Sequence, residues 1–107
     1  MPTSPPTLAQ VRASVTPLLP RLSAQFGLQR CAVFGSVARG TAKRTSDVDL
    51  LVDVDTPELS LFDLVRLETL LSDAVGHAVH LTERATLPEA VRTRLEREAV
   101  RLEAAPG

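Results

Sequence analysis

The sequence predicts a small α/β domain with the element order α-β-α-β-α-β-α. Three observations carry that prediction. Apolar residues recur at three- and four-residue spacing in three separate stretches, capping residues and glycines bracket those stretches, and short valine- and leucine-rich runs lie between them. Thr7 and Gln10 make a capping box ahead of Leu8, Val11, Val15, Leu18, Leu19, Leu22 and Phe26, the stripe of an amphipathic helix. Pro17 and Pro20 interrupt it and predict a kink or two separate helices, with Gly27 as the stop. Cys31-Ala-Val-Phe34 is too short for a helix and reads as a buried strand, followed after Gly35 by a short helix.

Val48 to Val54 is the second strand. Val48, Leu50, Val52 and Val54 alternate with Asp47, Asp49, Leu51, Asp53 and Asp55, so one face is apolar and the other carries carboxylates. Ser60 and Asp63 cap the next helix, whose buried stripe is Leu61, Leu64, Leu67, Leu71, Ala74 and Val75 and whose stop is Gly76. His77 to Thr82 is the third strand. Thr86 with Glu89 starts the last helix, with Pro88 in its first turn and Val91, Leu95, Ala99 and Leu102 as its apolar line. Residues 7–104 read as one domain, and 1–6 and 105–107, with nothing to bury, as flexible termini.

Length and composition bound the function. With 107 residues, 44% apolar and 23% charged, the chain has room for one domain, and a two-domain enzyme is excluded. No apolar stretch approaches the roughly 18–20 residues of a membrane span, and Met1-Pro-Thr-Ser-Pro-Pro6 has neither a basic nor an apolar leader region, so a cytoplasmic protein with no membrane partner is expected. Cys31 alone can make neither an internal disulfide nor a multi-thiolate zinc site, and is expected as a small buried residue. A net charge of −1 and an aromatic set of Phe26, Phe34 and Phe62, without Trp or Tyr, argue against direct polynucleotide binding. Charge is nevertheless segregated: Arg30, Arg39, Lys43 and Arg44 precede Asp47, Asp49, Asp53, Asp55 and Glu58 with no mixing.

The chemistry concentrates in Gly35-Ser-Val-Ala-Arg-Gly40 and Ser46-Asp-Val-Asp-Leu50. A strand turning into a helix at Gly35 presents unpaired backbone N–H groups suited to phosphate. The stretch is neither a Walker A loop, because Thr41-Ala42 follows Gly40, nor a dinucleotide fingerprint, because Val37 stands where a glycine is needed. Ser36 adds a hydroxyl and Arg39 lies one turn on. Asp47 and Asp49, two apart in a strand, point the same way about 6.5–7 Å apart and can converge on one divalent ion. Magnesium takes one or two carboxylates and completes its shell with substrate phosphates and water, so the two stretches together read as a nucleoside triphosphate and metal site.

Phe34-Gly-Ser-Val-Ala-Arg-Gly40 and Ser46-Asp-Val-Asp-Leu-Leu-Val52 resemble the signature of the minimal nucleotidyltransferases, the MNT domains of the DNA polymerase beta superfamily, in which Gly-Ser is followed after ten residues by Asp-x-Asp. Glu89 to Val100 is similar to that family's closing helix. The resemblance implies a nucleotidyltransferase fold, a small mixed three-stranded sheet flanked by helices. It implies that Gly35 and Ser36 hold triphosphate oxygens, and that Asp47 and Asp49 are the catalytic carboxylates and hold magnesium, as two ions. The reaction that the resemblance implies is attack of a hydroxyl on the alpha phosphate of ATP, with transfer of adenylate and departure of pyrophosphate. Arg39 is either a further phosphate ligand or half of a surface salt bridge, and Lys43 and Arg44 read as a solvated loop.

One position departs from the family, which commonly carries a third acid on the next strand. Here that stretch is Val79-His80-Leu81-Thr82, and alternation puts His80 where the carboxylate would stand. A neutral imidazole suits zinc, manganese or nickel better than magnesium, or acts as a base near neutral pH, or is an exposed strand histidine without a duty. Glu83 supplies a carboxylate only if the strand bends, and His77 reads as structural. In the family, such stand-alone chains resemble antitoxins that add AMP to a tyrosine of a HEPN ribonuclease toxin. The resemblance therefore implies a HEPN-domain partner, ATP, and a hetero-oligomer with that partner. The alternative is an inactive antitoxin that neutralises its partner by binding alone. Transfer to a small molecule would need a second chain to build the pocket.

Overall fold

In the computed structural model, which describes residues 4–55 and 59–103, the expected capping box opens the chain's first helix. Thr7 Oγ1 accepts the Gln10 N–H at 3.1 Å, and the Gln10 side chain accepts the Thr7 N–H at 3.3 Å. Helix α1 (Leu8–Val15) gives way to a 3₁₀ turn at Thr16–Leu18 and then to α2 (Leu19–Phe26). The two prolines, at the starts of the turn and of α2, divide what periodicity alone reads as one helix. Gly27, left-handed at φ 72°, ends α2.

Strand β1 (Leu28–Phe34) begins three residues before the expected Cys31 and runs directly into the short α3 (Gly35–Arg39). Strand β2 (Val48–Val54) pairs antiparallel with β1. Helix α4 (Leu61–Val75) carries the chain back, so β3 (Val79–Glu83) lies parallel to β2. A 3₁₀ turn at Arg84–Thr86 leads to α5 (Glu89–Glu98) and β4 (Val100–Leu102), giving the sheet order β3-β2-β1-β4.

The mixed α/β architecture is the expected one with one strand more. The last helix stops at Glu98, and Ala99 is extended at φ −69°, ψ 138°. Leu102 is therefore a strand residue, paired with Cys31, and not the last member of a helical stripe. The outer edge of β1 needs backbone partners, and Val100-Arg-Leu102 supplies them while its alternation still turns Leu102 inward. Pro88 caps α5 from outside the helix, and Thr86 belongs to the preceding turn, where its Oγ1 donates to the Glu83 carbonyl at 2.8 Å.

One apolar cluster joins Val11, Val15, Leu22 and Phe26 to Val33, Val48, Leu50, Val52, Leu67, Leu71, Val79 and Leu81. Cys31 belongs to it, as expected, and burial pushes its thiol up to about 12. Two members of the expected α4 stripe fall outside it: Leu61, in the first turn, and Ala74 are exposed, and Leu70 packs instead. The outer edge of β3 is held by α4, since Ser72 Oγ accepts the Val79 N–H and Glu68 Oε2 accepts the Leu81 N–H, both at 2.9 Å.

On the opposite face, Leu51 is also buried and Arg84 ties the sheet to α5. Its Nε reaches Asp53 at 2.9 and 3.0 Å, and its Nη1 reaches Glu96 at 2.8 Å. Of the termini expected to be flexible, residues 1–3 and 105–107 lie outside the described residues, whereas Pro6, read as having nothing to bury, is buried. Among the described residues no helix is long and apolar enough to cross a membrane.

Candidate functional site

Strand register builds the site. Asp49 in β2 faces Phe34 of β1 on one side and His80 of β3 on the other. Because Phe34 is the last residue of β1, the chain turns into α3 immediately beside Asp49. Gly35 takes φ +73° there, a left-handed conformation that side chains resist. A Cβ on Gly35 would stand 2.7 Å from Asp49 Oδ2. The glycine thus serves both the turn and the approach of the carboxylate.

Alternation does the rest for Asp47, which lies just before β2 with Val48 buried between it and Asp49. The loop leading there is fixed by a reciprocal pair: Ser46 Oγ accepts the Lys43 N–H at 2.8 Å and the Ser46 N–H donates to the Lys43 carbonyl at 2.9 Å. Lys43 and Arg44 are exposed on it. At the other end of α3, Gly40 is left-handed at φ 75°, and the Ser36 carbonyl accepts the Thr41 N–H at 2.9 Å.

Four charged or titratable groups converge electrostatically on this ledge. Burial, the largest influence, raises the Asp49 carboxyl above its ordinary value; His80 counters the rise, Asp47 adds to it, and Arg39 counters it. An anion disfavoured by burial and by a neighbouring anion is a group that a cation would relieve. Among the described residues no three His, Cys, Asp or Glu side chains gather into a complete cage. Two carboxylates with the rest of the shell left to phosphate and water are the donor set that magnesium takes, so the residues present fit that ion.

Arg39 makes the salt bridge that was one of its two readings. Its Nη1 lies 3.3 Å from Glu98 Oε1 at the end of α5, and the same oxygen accepts the Gly35 N–H at 3.0 Å. Nothing in the spacing of the sequence marks Glu98, because its partners are 59 and 63 residues away. His80 does stand beside Asp49, with a side chain 68% exposed and Nδ1 3.6 Å from Glu68 Oε2. Glu68 was equally unmarked in the sequence. Glu83 is at the far end of β3, opposite Val52, where Oε1 accepts the Leu59 N–H at 2.9 Å, so it does not reach Asp49's end of the sheet. His77 precedes β3 and is half-buried.

Comparison with known proteins places these features in a wider set. A family model described as a nucleotidyltransferase domain matches residues 17–102. The protein adenylyltransferase MntA of Thermococcus cleftensis is 35% identical over 94 residues, 88% of this chain and 94% of its own. A solved structure described as a minimal nucleotidyltransferase superposes with a TM-score of 0.73 at 36% identity, covering 88% of this chain and 94% of that one. A solved complex of a tri-AMPylated Shewanella oneidensis HEPN toxin with an MNT antitoxin superposes with a TM-score of 0.66 at 18% identity, covering 91% of this chain and 72% of that one, a likeness of fold.

Proposed function

Because the chain belongs to the nucleotidyltransferase domain family, we propose that it is a metal-dependent protein adenylyltransferase and acts as an antitoxin, moving AMP from ATP to a tyrosine hydroxyl of a HEPN ribonuclease toxin. The observation that carries this reading is the juxtaposition of Gly35 and Asp49, the turn and the carboxylate brought within contact by the register of β1 on β2. In this reading the Ser36 hydroxyl and amide hold triphosphate oxygens, Gly35 lets the phosphate approach the backbone of the turn, and Asp47 and Asp49 hold magnesium. The ion supplies positive charge where charge builds up on the transferring phosphoryl group.

The acceptor oxygen forms its bond to the alpha phosphorus on the side opposite the pyrophosphate. The bond from that phosphorus to the bridging oxygen breaks, pyrophosphate carries away the electron pair, and the hydroxyl proton passes to solvent. Asp47 and Asp49 orient the phosphate by fixing its counter-ion, and Gly35 keeps Asp49 close to the turn without a side chain between them. The MntA relative is named for this activity, and the solved antitoxin complex holds an AMPylated HEPN toxin. The first supports the reaction and the second the partner.

His80 favours a second reading, an antitoxin that neutralises by contact, since it brings no negative charge beside Asp49. Intact-mass spectrometry of the HEPN partner after incubation with the protein, ATP and magnesium separates the two. One or more added adenylyl masses, absent with Asp47→Asn/Asp49→Asn and with chelator, are expected. A partner that is bound and inhibited yet unmodified would leave the contact reading standing.

A further inference from the structure

Glu98 is an anion at the place where the proposed function seats an anionic ligand. Its Oε1 is shared between the Gly35 N–H at 3.0 Å and Arg39 Nη1 at 3.3 Å, with Oε2 at 3.4 Å from the same guanidinium nitrogen. The carboxylate is one-third exposed and the arginine about half. We propose that Glu98 is a positioning residue for the nucleotide, a brace that fixes the Gly35–Ser36 turn and the Arg39 fork in the arrangement that receives the triphosphate. The proposal rests on the nucleotide reading of the site.

Three features distinguish a brace from an anion that must leave before phosphate can enter. First, Glu98 is anchored on both sides: it ends α5, and two residues later Val100 pairs with Val33 of β1, the strand that runs into the turn. A side chain held by elements joined to the same strand reports the position of that strand's end. Second, it uses the Gly35 amide and leaves the Ser36 amide and hydroxyl to a ligand. Third, guanidinium has five donors in a rigid fork, and Glu98 engages a single nitrogen, so the remaining donors stay available in a fixed direction. The Arg39–Glu98 pair carries no net charge, so the brace does not add repulsion toward a triphosphate beyond what Asp47 and Asp49 already present.

The test compares Glu98→Gln with Glu98→Ala. Both remove the charge, and only the amide keeps an oxygen that can accept from Gly35 and Arg39. Affinity for ATP with magnesium is measured by titration calorimetry on wild type and both variants, well below their melting transitions. E98Q is expected to bind like wild type or tighter, and E98A about tenfold more weakly than E98Q, the worth of a lost charge-assisted contact. A role in stability alone would lower the melting temperature of both variants and leave that ratio near one. A ratio below about threefold, or tighter binding by E98A, overturns the brace, the latter showing a competitor instead. If E98A fails to fold, Glu98→Met, of similar length and without the oxygen, takes its place in the same comparison. If wild type itself does not bind ATP with magnesium, the nucleotide reading falls and the brace with it; if wild type binds and the ratio is flat, only the brace falls.

Discussion

Replacing Gly35 with alanine puts two separable costs on one residue. The first is in the backbone: a left-handed alanine at φ +73° costs about 1–2 kcal/mol, which in a domain of this size lowers Tm by roughly 5–15 °C. The second is in the site. The new Cβ meets Asp49 Oδ2 at 2.7 Å, below any ordinary contact, so the carboxylate has to withdraw by roughly 0.7 Å. If Asp49 holds the metal as proposed, a displacement of that order is expected to reduce AMP transfer by about 100-fold.

Gly76 supplies the control. It is left-handed at φ +79°, it ends α4, and a Cβ there meets nothing within 4 Å. Gly76→Ala therefore pays the backbone cost alone. Thermal melting followed by circular dichroism should show similar losses for both variants. The initial rate of AMP transfer, at a temperature where both are folded, should fall only in G35A and stay within about twofold of wild type in G76A. A G35A protein that transfers AMP as fast as G76A would refute the idea that the missing side chain makes room for Asp49.

Three further outcomes are expected. Asp49→Asn should melt higher than wild type at pH 7: burial raises the folded carboxyl above its unfolded value, so wild-type stability falls as pH rises between the two, and the variant's advantage should vanish below about pH 4; equal melting at pH 7 would contradict it. Leu71→Ala, at a fully buried position of the core, should cost about 2.7–5 kcal/mol in urea unfolding, out of a total on the order of 5–15, and a loss under about 1 kcal/mol would mean that α4 is packed differently. Arg84→Ala removes both contacts to the nearly buried Asp53 carboxylate and should cost about 1.5–3 kcal/mol by the same measurement, with Arg84→Lys restoring only part because one ammonium cannot reproduce the fork between Asp53 and Glu96.

What was legible in the sequence is what is decided within a few residues. The Thr7–Gln10 box, the Ser60–Asp63 cap and the glycine stops at Gly27 and Gly76 all follow from side chains or torsions acting over one helical turn. The pairing of the Gly35 turn with Asp49 was legible by a different route, since a glycine turn suited to phosphate and two carboxylates on one strand face are complementary in chemistry and together resemble the nucleotidyltransferase signature; the register of β1 on β2 that brings them together is written in neither stretch. Glu98, Glu68 and β4 were not legible. Each matters through a partner distant in sequence, and Val100-Arg-Leu102 fits a helical stripe as well as a strand until β1 is seen to need a neighbour. Leu61 shows the converse, a residue in phase with the buried stripe that overhangs it at the helix start.

The outer margin of β3 has a consequence for how the molecule behaves in company. An open strand presents donors that an incoming strand can pair with, the first step of sheet-to-sheet aggregation. Here the outward amides of Val79 and Leu81 are already committed to Ser72 and Glu68, and the second of these places a carboxylate along the margin. A foreign strand approaching on this side would find acceptors where it needs donors, and a negative charge besides. Growth by strand addition is thereby discouraged on the β3 flank of the sheet.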